Sequence, residues 1–263
     1  IADHYDRGND FFRAFLGPRM KYTSGIFTHV DCTLEEAQDN KMATICRKLR
    51  LKKGMRMLDI GCGWGTLAGF AHQKVGAKAV GVTLSDEGAA WARSNNPGPE
   101  FIISDYRDCP EDENSKFQAI SCIEMAEHVG LANFQKYMAK VDRLLTDDGT
   151  FLMQVAGLRK GADHEDMAWG LLMNRYIFPG AAASTPLHWY IEQVEKAGFE
   201  VESVENIGVH YSLTLNQWYK NFIRDSPSLP AKYPGSIIRL WKLFLSWSTL
   251  ASKRGSATCY QIV

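Results

Sequence analysis

The run MLDIGCGWG, from Met57 to Gly65, sets one carboxylate, Asp59, ahead of glycines at 61, 63 and 65. Glycine lets a backbone approach a ligand closely, and a helix beginning after such a turn offers unpaired N–H donors, so this spacing suits a bound cofactor. A turn that only tightens a strand-to-helix connection uses the same residues. A dinucleotide site would need GxGxxG and an acidic residue ending the next strand, and that strand ends instead at Thr83. Farther along, Glu127-His128 and His210-Tyr211 bring together a carboxyl group, two imidazoles and a phenol. Each pair also has a plain reading, Glu127 and His128 as a cap on the helix starting near residue 133, His210 and Tyr211 as core residues closing a turn. Glu124, at a strand end, could pair with a nearby cation.

These residues need a frame, and the periodicity supplies one. Thr33-Leu-Glu-Glu36 is a capping-box pattern that predicts a helix over 33–50. A short buried strand follows at 55–60, then the glycine turn, a helix to about residue 75 and a strand at 78–83, which together make a βαβ unit. The alternation goes on with a helix near 86–94, strands at 101–104 and 117–123, a helix at 133–145 and a strand at 150–155. Such alternation predicts an α/β fold with a mostly parallel sheet covered on both faces. Beyond residue 157 the pattern changes to aromatic-rich helices at about 165–176, 185–197, 213–223 and 236–252, interrupted by strands near 199–207 and 256–263. Trp218, Tyr219, Phe222, Trp241, Phe244 and Trp247 are core by default, and their number also suits a greasy tunnel. The expected organisation is one domain over 1–263: a helical cap (1–50), a cofactor-binding core (51–156) and a substrate side (157–263).

Composition narrows the partners. With 45% hydrophobic and 23% charged residues the chain can bury a full core, which excludes disorder. Thirty basic against thirty acidic residues leave no basic footprint for nucleic acid. Six cysteines without a CxxC pair and seven histidines without ligand spacing predict no metal and a reducing compartment. No apolar run reaches the roughly 18 residues that span a bilayer, so the chain reads as soluble. It begins at Ile1 without a signal pattern, as the interior of a longer protein would, and any membrane anchor is expected before Ile1.

Asp59-x-Gly61-x-Gly63 resembles motif I of class I S-adenosylmethionine-dependent methyltransferases. Over the whole chain, the segments 4–12, 22–25, 34–38, 82–85, 105–108, 127–130 and 210–211 together resemble the cyclopropane-fatty-acid-synthase group of lipid methyltransferases. More closely, the segments 123–128, 154–160, 174–180, 184–186, 208–211 and 255–259 resemble the sphingolipid C9-methyltransferases. The resemblance implies a Rossmann-like, seven-stranded fold with an added helical lipid-binding cap. It implies S-adenosyl-L-methionine held by Tyr22, Thr23, Asp59, Gly61, Gly63, Thr83, Leu84, Asp105 and Tyr106, with Gly88 standing where many relatives have a glutamine. It also implies that Glu127, His128 and Tyr211 line the reacting centre, where cyclopropane synthases hold a bicarbonate ion. Ser24 and Gln154 stand where those synthases have a cysteine and a histidine, and this departure fits a methyl-branched product. The implied substrate is the 8,9 double bond of a sphingoid chain in ceramide or glucosylceramide, met at a membrane surface, with the catalytic domain facing the cytosol at the endoplasmic reticulum or a related membrane. Ring formation by a cyclopropane synthase, small-amine N-methylation and a non-catalytic cofactor-binding scaffold remain the competing readings.

Overall fold

Six of the seven residues of β4 (Phe117–Ile123) are buried, and β1 (Arg56–Ile60) and β2 (Lys78–Thr83) are nearly as apolar, as strands covered on both faces must be. In the computed structural model, which describes residues 7–111, 113–159, 161, 163–180 and 185–263, these strands form the middle of one seven-stranded sheet. The order is β3-β2-β1-β4-β5-β7-β6, where β3 is Glu100–Ile103, β5 Leu145–Leu158, β6 Val204–Asn206 and β7 Ala257–Ile262. The first five strands run parallel, and β7 lies antiparallel between β5 and β6. His4, Tyr5 and Asp6 of the first motif, Lys160 and Ser184 lie outside the described residues.

Helices cover both faces. On one, α2 (Leu34–Lys48) and α3 (Thr66–Phe70, continued by a π turn to Val75) pack Met42, Ile45, Leu67 and Ala71 against Ile123 and Leu152. The expected capping box at α2 is present, Thr33 accepting from the Glu36 N–H and Glu36 from the Thr33 N–H. On the other face α5 (Phe134–Leu144) and α7 (Leu187–Lys196) bury Phe134, Tyr137, Val141 and Tyr190. α4 (Asp86–Asn95) follows β2 and packs Ala92 against Phe101. A separate aromatic core joins α1 (Asn9–Leu16), α8 (Gly208–Asp225) and α9 (Gly235–Lys253), with Phe11, Phe12, Phe15, Trp218, Phe222, Trp241 and Phe244 edge to face. α6 (His164–Leu172, continued by a π turn to Ile177) closes its rim.

Several boundaries differ from the periodicity. β5 runs from Leu145 rather than 150, because Phe117 pairs with Leu145 before a bulge that takes up the polar Asp147-Asp148-Gly149 stretch. The strand expected over 199–207 is only Val204–Asn206, exposed at the sheet edge. α8 begins at Gly208, not 213, so His210 and Tyr211 sit in its first turn. The structure also gathers His29, Cys32 and Glu36, whose ligand atoms lie within 4.8 Å of one another, a grouping their spacing did not suggest. Glu36 is engaged there by the capping box. No described helix is long and apolar enough to cross a membrane.

Candidate active site

The carboxyl ends of β1, β2 and β3 open into a cleft of about 550 Å³, the expected place for a ligand in a parallel sheet. Its walls include Gly61 and Gly63 after β1, Thr83 and Leu84 after β2, and Asp105 and Tyr106 after β3. Tyr22 and Thr23, from the segment after α1, close it from the cap side. Gly63 has φ 56°, and the space where a Cβ would project is open. Gly88 belongs to the same device: a Cβ at 88 would come within 2.8 Å of the Gly63 carbonyl oxygen, so a side chain there would push the glycine turn out of place. Asp105 is held by Arg107, whose backbone N–H and guanidinium both donate to it, and the guanidinium keeps its carboxyl below the usual range. Asp59 is fully buried and does not line the cleft. It accepts from the Ser121 hydroxyl at 2.6 Å and braces β1 against β4 from below, with burial raising its pKa.

A second, narrower cavity of about 110 Å³ runs beneath the aromatic cap, walled by Trp169, Met173, Phe178, Leu215 and Phe244. The two cavities share Tyr22, Glu124 and His128. Glu124 is the first residue beyond β4, and its φ of 55° is a left-handed conformation uncommon outside glycine. Its carboxylate gathers the groups that the motifs had set apart. Tyr211 donates its hydroxyl to Oε2 at 2.7 Å, while Gln154 Nε2 at 2.6 Å and the Ser24 backbone N–H at 3.3 Å donate to Oε1. Cys259 Sγ lies 3.8 Å from the same oxygen. Burial, and then the charge of Glu124, pushes the Tyr211 phenol well above its ordinary value and keeps it a donor. The orientation of Gln154 is imposed in turn: Gln261 Nε2 donates to its Oε1 at 2.9 Å, and Gln261 Oε1 accepts from Lys48 Nζ at 2.7 Å.

The expected set is therefore rearranged. Ser24, Gln154 and Tyr211 converge on Glu124 and not on Glu127. Ser24 contributes its backbone N–H, since its hydroxyl donates to the Gly25 carbonyl. The hydrogen bonds of Glu124 come from neutral donors, and the cation in reach, the buried Lys41, acts on it only electrostatically. Glu127 lines the narrower cavity, accepts from the Ala156 N–H at 2.5 Å through Oε1, and caps no helix. Burial, followed by the charge of Glu124, pushes its pKa up to about 8, so it is held protonated at neutral pH and is not the anionic carboxylate expected from the motif. His128 is pushed down to about 4 by burial and is a neutral imidazole. Trp64, Lys21 and Ser85 also line the cleft without having been singled out, and only the TLS segment hinted at the last of them.

The family model described as mycolic acid cyclopropane synthetase matches residues 1–262. A sphingolipid C9-methyltransferase of Komagataella phaffii is 48% identical over 277 residues, covering 100% of this chain and 57% of that protein. The cyclopropane-fatty-acyl-phospholipid synthase of Escherichia coli K12 is 36% identical, over 99% of this chain and 66% of its own. Among solved structures, a mycolic acid cyclopropane synthase complexed with SAH and CTAB superposes with a TM-score of 0.91 at 25% identity, covering 100% of this chain and 95% of the other. The chain spans little more than half the length of the sphingolipid methyltransferases it matches. With a family model matched over nearly every residue and the same fold shared at that TM-score, the chain belongs to the mycolic acid cyclopropane synthetase family.

Proposed function

We propose that the chain is the catalytic part of a sphingolipid C9-methyltransferase, which adds a methyl branch to the 8,9 double bond of a sphingoid base in ceramide or glucosylceramide. The observation that carries the reading is the meeting of a glycine-turned cleft and an apolar cavity at one carboxylate, Glu124. The cleft fits S-adenosylmethionine by its own geometry. Its volume is in the small-molecule range of about 300–1,000 Å³, and open space above Gly63 lets backbone meet ligand. Gly61, Gly63, Thr83, Leu84, Asp105 and Tyr106 would hold it, with Tyr22 and Thr23 closing from above. Bound there, S-adenosylmethionine supplies an electrophilic methyl group. The similar structure complexed with SAH supports that reading, and the 48% identity to a sphingolipid enzyme supports the choice of lipid.

An isolated alkene is a poor nucleophile, so the protein must align it and keep water out. The apolar walls of Trp169, Met173, Leu215 and Phe244 do the second, and they offer a hydrocarbon chain an apolar surface. Methylation leaves a positive charge on the chain, which the carboxylate and the ring of Tyr211 stabilise in a site removed from water. Proton loss from the new methyl would close a ring, whereas loss from a chain carbon leaves a methyl-branched alkene. Both Ser24 and Gln154 are non-titrating, and their donors are spent on a fixed side chain, which favours the branch. A substrate with two long chains stays in a bilayer, at about 0.8 kcal/mol per methylene, so the enzyme works at a membrane surface. Expression in cells whose sphingolipids carry the 8,9 alkene without a branch tests this: mass spectrometry should find a C9-methylated base, and unchanged lipids would refute it.

A further inference from the structure

The structure assigns to Glu124 the role of catalytic base, the group that takes the proton the methylated chain must lose. This deepens the proposed reaction and rests on it. Glu124 supplies the one carboxylate among the three residues shared by the cofactor cleft and the chain cavity, so it stands where a methyl group crosses from one to the other. Its backbone is held in the left-handed region without being glycine, a conformation that persists only where surrounding structure enforces it. The enforcement is visible. Tyr211 and Gln154 donate to opposite oxygens at 2.7 and 2.6 Å, and Ser24 adds a backbone N–H. The groups that donate to it are all neutral, and the buried Lys41, within electrostatic range, donates to Thr23 Oγ1 instead, so a carboxylate here is stabilised without being paired off.

Glu127 is the alternative, and its geometry disfavours it. It lines only the chain cavity, its Oε1 is taken by the Ala156 N–H, and its pKa of about 8 leaves it already carrying a proton at neutral pH. Of the two carboxyl groups, only Glu124 borders both cavities, so it is the one placed to take the proton.

The step balances within the substrate and this side chain. The C–H bond at the methylated carbon breaks, its electron pair forms the carbon–carbon double bond and discharges the neighbouring cation, and the proton binds a Glu124 oxygen, to be passed to water after product leaves. A base tethered to the chain at β4 takes only the hydrogen it faces, so the choice between branch and ring becomes a property of the fold.

Two variants test this on the lipid substrate with S-adenosylmethionine, with melting and calorimetric cofactor affinity showing that each is folded and loaded. Glu124→Gln should lower turnover by about 100-fold or more, the range expected for losing a general base. Glu124→Gly suits the backbone at this position and leaves the Tyr211, Gln154 and Ser24 donors facing a carboxylate-sized gap. Added formate should then raise its turnover about tenfold in a saturable way, while leaving Glu124→Gln unaffected. A folded Gln variant within about threefold of the parent, or a folded Gly variant that formate does not accelerate, overturns the assignment. If the parent itself methylates no sphingoid alkene, the proposed reaction fails and this assignment with it.

Discussion

At Gly63 the backbone is both left-handed and open to the cleft, so a side chain there meets ligand and not protein. Gly63→Val is expected to abolish S-adenosylmethionine binding by calorimetry while the protein still unfolds cooperatively; unchanged affinity would remove the glycine turn from the cofactor site. Glu127 makes a prediction of another kind. Its folded pKa of about 8 lies above the usual 4.5, so the stability it contributes is complete below about pH 4.5 and is lost as pH rises toward 8. The loss is of order 5 kcal/mol. Glu127→Gln, which copies the protonated acid, should flatten that slope, so urea titrations at pH 5 and pH 8 should show the variant gaining on the parent at the higher pH. Parallel slopes would mean Glu127 is ionised in the native state.

At the scale of elements, the carboxyl ends of β1, β2, β3 and β4 carry the site, and α2, β5 and β7 orient it through Lys48, Gln154 and Gln261. Gln261→Leu leaves the Gln154 oxygen without its donor, a loss of about 1–3 kcal/mol that frees the amide to turn away from Glu124. Turnover should drop about tenfold with cofactor affinity intact and product identity unchanged; a variant with parental turnover would make the chain of amides merely structural. This network is also where the sequence was least legible. The strands, the capping box at Thr33 and the glycine turn announce themselves through local periodicity and spacing. The partners of Glu124 come from residues 24, 154 and 211, brought together only by the parallel sheet and the first turn of α8. The resemblance named Ser24, Gln154 and Tyr211, but not their common partner: Glu124 read only as a carboxylate at a strand end that could pair with a cation. The motif around Glu127 was the more conspicuous, but burial neutralises that residue, and the carboxyl group that gathers the donors lies three positions earlier. Neither the amide orientation nor the left-handed turn at 124 has a signature in the chain.

For the whole molecule, the proposed substrate, a chain held in a bilayer, has to reach the cavity beneath the aromatic cap. α6 and α9 pack together and turn their inner faces, with Trp169 and Phe244, onto the chain cavity. Their outer faces leave Leu171 73% and Leu250 54% exposed, alongside Met167 and Leu243. With zero net charge over the chain, apolar contact is the better candidate for docking than long-range attraction to anionic lipid. Leu171→Asp combined with Leu250→Asp should reduce co-sedimentation with ceramide-containing liposomes while leaving melting unchanged; equal recruitment of parent and variant would move docking elsewhere. The central claim is the product, and one measurement addresses it: supply S-adenosylmethionine bearing a trideuterated methyl group with an 8,9-unsaturated sphingolipid, and read the lipid by mass spectrometry. A branched alkene keeps all three deuterium atoms, and that is the result predicted here. Product retaining only two would mean that the new methyl lost a hydrogen and a ring was closed, contrary to this account.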